Sequence, residues 1–78
     1  MDPRSAEHQA LGSAIRQLRE QVGLSQEALA LEAGIDRSYV GGVERGERNP
    51  TYATLLRIAA VLTVPLSKVI VEAEGRGR

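Results

Sequence analysis

The chain has no cysteine and only one histidine, His8, among its 78 residues. Disulfides and thiolate metal sites are thereby excluded, and one imidazole cannot assemble a zinc site. No metal or cofactor is expected. Long apolar runs are missing as well. The longest, Ile58 to Leu62, falls far short of the roughly 20 residues of a membrane span. The N-terminus lacks the basic-then-apolar layout of a signal peptide, so the expected compartment is the cytoplasm, with no membrane partner. Net charge is absent too, because ten basic residues balance ten acidic ones. Neutrality excludes a general polyanion binder without excluding a selective one.

What remains is a small globular composition, 42% apolar and 26% charged. A domain of this size buries only about 60% of the surface its unfolded chain exposes, so helix packing and oligomerisation must supply its stability. Pro3, Gly23, Gly34, Gly46, Pro50 and Pro65 punctuate the chain, and the segments between them follow helical periodicity. Leu11, Ala14, Ile15, Leu18 and Val22 form one stripe on a first helix, about residues 6 to 22, stopped by Gly23. Ser25 is placed to cap a short second helix ended by Gly34, with Leu24 and Leu29 as a hydrophobic staple. Asp36 repeats the device for a third helix, with Ile35 and Val40 as the staple. Thr51 caps a fourth helix whose face is Leu55, Ile58, Ala59 and Leu62. Pro65 opens a fifth, striped by Leu66, Val69 and Ile70. The expected fold is all-α, five helices over residues 6–73, with disorder at 1–5 and 74–78.

The turn between helices two and three is the informative one. A short helix, a glycine-containing turn and a second capped helix make a helix-turn-helix, although many bundles contain such a pair. The angular layout of the third helix favours the more specific reading. At about 100° per residue, Arg37, Gly41, Arg45, Ser38 and Gly42 share one face, opposite Tyr39, Val40 and Val43. Two glycines inside a helix cost about 1 kcal/mol each relative to alanine, so something must require them. Removing side chains at Gly41 and Gly42 lets the face approach a surface closely, and a DNA major groove is such a surface. Arg37 would then present its planar fork to guanine O6 and N7, Ser38 a hydroxyl to a base edge or phosphate, and Arg45 a charge to phosphate. The competing reading takes these as ordinary solvated charges on a short helix.

The stretch LSQEALALEAGIDRSYVGGVERGERNPTYATLLRIAAVL resembles the Cro and phage-repressor type of helix-turn-helix domain, the XRE-like, lambda-repressor-like family. It carries the Ser-Gln opening of helix two, the Ala and Gly before the turn, and Glu-Arg-Gly followed by Asn-Pro-Thr. The resemblance spans residues 10 to 72. Within the family, Asp36 to Tyr39 and Gly42 to Arg45 resemble the controller proteins of restriction-modification systems. The resemblance implies that Ser25 and Gln26 contact the DNA backbone. It implies that Arg37 and Ser38 read bases, and that Tyr39, Arg45, Arg48 and Asn49 hold the backbone. It also implies a structural ion pair between Arg19 and Glu44. Family members often carry a long polar reader where this chain has Gly42, so fewer base contacts and more shape readout are expected.

No enzymatic constellation is present. His8 is expected to be a solvated residue, the serines lack a neighbouring base, and there is no carboxylate cluster or phosphate-cradling loop. The stronger rival is a protein-interaction module such as the antitoxin of a toxin–antitoxin pair. Helix five carries Leu66, Val69, Ile70 and Val71, more apolar surface than one core-facing stripe needs. The expectation is a homodimer through helix five and the end of helix four. It would place two recognition helices on double-stranded DNA at a palindromic operator and either block or contact RNA polymerase. Nine of the ten basic residues are arginine, so modest non-specific affinity and a shallow salt dependence are expected.

Overall fold

A computed structural model describes residues 5–76. Among them are five helices and no strand: α1 (Ala6–Gln21), α2 (Gln26–Ala33), α3 (Arg37–Glu44), α4 (Tyr52–Leu62) and α5 (Leu66–Arg76). The expected caps are largely in place. Ser25 accepts from the Ala28 amide at 3.0 Å and Thr51 from the Thr54 amide at 3.1 Å, each satisfying an N–H that the first helical turn leaves unpaired. Gly23 and Gly34 end α1 and α2 with φ of 76° and 70°, which a side chain would resist.

The core is one cluster in which Ile15, Leu29, Val40, Val43, Ile58, Leu62 and Val69 are completely enclosed. It draws on every helix, so no pair of helices is an independent unit. Leu11, Ile35, Tyr39, Leu55 and Leu66 pack around it half-buried. α3 is held between α1 and α2, while α5 packs mainly on α1. Gly12 makes the first of these contacts close. A Cβ there would lie 2.5 Å from the Glu44 carbonyl oxygen and nearer still to that of Val43, so α1 and α3 meet backbone to backbone.

Several expectations need correction. Val22 is 47% exposed, because α1 stops at Gln21 and Val22 is its C-cap. His8 is buried rather than solvated. Ser5 caps α1, which puts His8 in the first turn with Nδ1 2.8 Å from the Ser5 hydroxyl oxygen. Ser5, placed by the sequence reading in a disordered stretch 1–5, is the N-cap of α1. At the other end α5 continues through Glu74 and Gly75 to Arg76, past the expected boundary at 73. The remaining disorder expectations, for 1–4 and 77–78, lie outside the described residues. Pro65 precedes α5 rather than opening it, its carbonyl accepting from the Lys68 amide at 2.9 Å. α5 buries Val69 and Ala73 with Leu66 behind them, so its inward stripe is 66, 69, 73 and Ile70 lies at its edge. Val69, expected at a dimer interface, is 1% exposed and belongs to the core. Among the described residues no single helix is long and apolar enough to cross a membrane.

Candidate nucleic-acid interface

The candidate surface is built on α3. Tyr39, Val40 and Val43 fix this helix to the core, and the opposite face turns outward. Arg37, its first residue, and Ser38 are exposed there, as are Arg45 at its C-cap and Arg48 and Asn49 in the following turn. Tyr39 is half-buried between the two faces. Ser25 is exposed at the start of α2, and Gln26 beside it is half-buried.

One buried network holds α1, α2 and α3 in register. Arg19 Nε donates to Glu44 Oε2 at 2.7 Å and Nη2 donates to Oε1 at 3.0 Å, a two-point contact that fixes both planes. Arg19 Nη1 also donates to the Leu24 carbonyl at 2.7 Å, tying in the α1–α2 turn. Hydrogen bonding and proximity to Glu44 hold the Arg19 guanidinium above its ordinary range, against the opposing effect of burial. Gln26 Nε2 completes the set by donating to Glu44 Oε1 at 2.9 Å. A carboxylate only accepts, so this bond orients the amide and leaves Gln26 its second N–H. The ion pair implied by the resemblance is thus present, and Gln26 connects it to the outer surface.

Two details differ from the sequence reading. Asp36 occupies the N-cap position of α3 with an extended backbone but makes no side-chain cap bond. Its Oδ2 instead accepts from the Ser38 hydroxyl at 2.8 Å, so the expected base reader is held by its neighbour. The glycines, moreover, are not an open face. A Cβ on Gly41 would sit 3.0 Å from Arg45 Nη1 and 3.6 Å from Gln26 Oε1. One on Gly42 would sit 2.8 Å from Arg48 Cγ. The missing side chains make room for the chain's own arginines. Arg45 is further tied to Glu47, Nε to Oε1 at 3.1 Å.

Asn49 is exposed and borders a shallow hollow with Glu7, His8 and Leu11 of α1. On α5, Ile70 and Val71 are 36% and 63% exposed and Leu66 is half-buried, so these three stay together at the surface while Val69 does not.

The helix-turn-helix model matches residues 15–69. The chain belongs to the helix-turn-helix family. This helix-turn-helix chain is 43% identical over 60 residues to the transcriptional regulator SutR of Escherichia coli, a match that spans 77% of this chain and 34% of that longer protein. Its fold superposes on the restriction-modification controller protein C.AhdI from Aeromonas hydrophila with a TM-score of 0.82 at 45% identity, covering 83% of this chain and 98% of the other. SinR, described as a master regulator for biofilm formation and solved in complex with DNA, superposes with a TM-score of 0.74 at 34% identity over 77% of this chain and 97% of SinR. The all-α, five-helix architecture is therefore shared with helix-turn-helix proteins, including one seen on DNA.

The residues missed by sequence reasoning are those whose role is long-range. Gly12 lies inside a regular helical stripe and gives no local sign that it seats α3. Gly46 reads as a helix stop, yet it also packs on α1, a Cβ there falling 2.9 Å from Gln9 Cα.

Proposed function

We propose that this chain is a sequence-specific DNA-binding transcriptional regulator that recognises a palindromic operator as a homodimer and controls a restriction-modification operon. It acts in the cytoplasm, on the nucleoid. The observation that carries this reading is the outward face of α3, where Arg37, Ser38 and Arg45 stand on a helix locked to α1 and α2 by the Arg19–Glu44–Gln26 network. A rigid frame matters because a bidentate contact to a guanine edge tolerates little misplacement.

In this mechanism α3 enters the major groove. Arg37 donates its fork to guanine O6 and N7, and Ser38 leaves Asp36 to contact a base edge or phosphate. Gln26 donates its free amide N–H to a phosphate, and Ser25, Tyr39, Arg45, Arg48 and Asn49 supply further backbone contacts. Arg45 must exchange Glu47 for phosphate, which costs little for so exposed a pair. Two copies join through Ile70 and Val71, with Leu66 beside them, the apolar surface that α5 leaves outside the core. Regulation follows from occupancy, by blocking or contacting RNA polymerase.

Selection from a random DNA pool tests the reading. An enriched palindrome supports it, and the half-site spacing should be near one helical turn, about 10 base pairs, or a multiple of it. Absence of enrichment would refute it and favour a protein-interaction module. Sedimentation at micromolar concentration should show a dimer, and only monomer with and without DNA would refute that part.

A further inference from the structure

We infer that the hollow between the start of α1 and the end of α5 is a binding site for an amphipathic organic cation, a small molecule with an apolar body and one ammonium group. The inference goes beyond the DNA-binding reading and does not depend on it.

α5 packs mainly on α1, yet the two helices do not close along their whole length. Where the first turns of α1 face the last turns of α5, the facing residues are alanines, Ala6 and Ala10 on one helix and Ala73 on the other. Their methyl groups leave a hollow of about 380 Å³, within the range of roughly 300–1,000 Å³ found for small-ligand sites. Leu11 and Ile70 complete an apolar wall, from which an apolar body displaces water favourably. A bare metal ion does not fit such a wall, and the described residues hold no group of three metal-ligating side chains.

The only polar side chains lining the hollow are two carboxylates, Glu7 and Glu74. Neither has a hydrogen-bond or ion-pair partner among the described residues. Their places in the helices differ. Glu7 lies in the first turn of α1, where a negative charge is favoured, but Glu74 lies in the last turn of α5, where it is not. Its neighbour Glu72 is served by Lys68 one turn earlier, Nζ to Oε1 at 3.2 Å. One turn before Glu74 stands Ile70, an apolar residue of the same hollow. The opposed helix ends offset each other here, which leaves two carboxylate charges to set the sign of the ligand. A cation is attracted and an anion repelled. A second copy is the competing occupant, since Ile70 also borders exposed Val71. A two-fold contact across the hollow would, however, set Glu7 and Glu74 against the copy's own carboxylates.

The test titrates isotope-labelled protein with hexylammonium chloride, hexanol and sodium hexanoate, following backbone amides by NMR. Hexylammonium should shift the amides of Ala6, Ala10 and Ala73 to saturation. It should bind about 2- to 30-fold more tightly than hexanol, the worth of two solvent-screened carboxylates, with hexanoate weakest. Combining Glu7→Gln with Glu74→Gln should bring ammonium and alcohol to the same affinity. Ala10→Leu should fill the hollow and remove binding of both, with helical circular dichroism to confirm the fold; the double glutamine variant, altered only at exposed positions, decides if that fold is lost. The inference is overturned if no probe saturates these amides, if the alcohol binds as tightly as the ammonium, or if the preference survives in the double variant. Amides of the hollow that move on dilution of the free protein, and not with hexylammonium, would give the site to a second copy and equally overturn it. None of these outcomes touches operator selection, so failure here leaves the DNA-reading function standing.

Discussion

The Arg19–Glu44 pair should be indispensable one residue at a time and dispensable as a pair. The Glu44 side chain is 2% exposed and that of Arg19 is 9%, so water cannot take over for either. Arg19→Met removes two of the three hydrogen bonds on the Glu44 carboxylate and strips the Leu24 carbonyl of its donor. An unpaired buried charge of this kind costs about 3–5 kcal/mol. The expected total stability of a domain this size is roughly 4–12 kcal/mol, so the variant should stand at the edge of unfolding. Each kcal/mol moves the thermal midpoint of such a domain by about 4–8 °C, which makes the expected drop at least about 12 °C. Arg19→Met combined with Glu44→Leu removes both charges together, and the double variant should recover to within about 1 kcal/mol of the wild type or exceed it. Gln26 is half-buried and can turn its amide to water. Urea unfolding followed by helical circular dichroism, with an unchanged slope, gives these numbers directly. The reasoning fails if Arg19→Met costs under about 1 kcal/mol, or if the double variant is as unstable as the sum of the singles.

Three further outcomes are expected. Gly12→Ala should destabilise by at least about 2 kcal/mol despite alanine's better helix propensity, because its Cβ would meet backbone rather than a movable side chain; a thermal midpoint at or above the wild type would contradict the close α1–α3 contact. Glu47→Gln should release Arg45 and tighten binding to random DNA by up to about 1 kcal/mol, the worth of so exposed a pair; an unchanged affinity would show that Glu47 does not compete with phosphate. Thr63 holds a left-handed backbone at φ 58° as the C-cap of α4, an unfavourable conformation for a β-branched residue, so Thr63→Gly should stabilise the chain by about 1 kcal/mol in the same urea assay; a loss of stability would mean that its hydroxyl, which donates to the Leu62 carbonyl at 2.6 Å, outweighs the strain.

What could be read from the sequence is what local chemistry encodes. Ser25, Thr51, Gly23 and Gly34 mark helix ends through their own conformational preferences, and the stripes of α1 and α4 follow from a 3.6-residue period. The outward set Arg37, Ser38 and Arg45 emerged from the same arithmetic. What stayed hidden depends on partners distant in the chain. α5 illustrates this: of the expected stripe Leu66, Val69 and Ile70, packing kept the first two, added Ala73 and left Ile70 at the edge with Val71 outside. His8 is buried although α1 begins where the sequence places it, and Ser5, three residues earlier, supplies a polar partner for its ring. Gly41 and Gly42 were read as letting the face of the helix approach a DNA groove closely, and the groups that lie against them in the fold are Arg45 and Arg48 of the same chain. A capping aspartate and a neighbouring serine can satisfy each other as readily as the helix, and Asp36 and Ser38 do so.

The central claim is that α3 reads sequence through Arg37, and a paired titration tests it most directly. Wild type and Arg37→Ala are titrated against the selected operator and a random duplex of equal length at the same ionic strength. Arg37 is exposed at the first position of α3 and takes no part in the core, so the substitution should leave the fold intact. Loss of a bidentate guanine contact is worth about 1–3 kcal/mol per half-site on the operator and close to nothing on random DNA. A fall in operator affinity of that size with random-DNA affinity held is the predicted result. Equal losses on both duplexes, or none on either, would contradict the account.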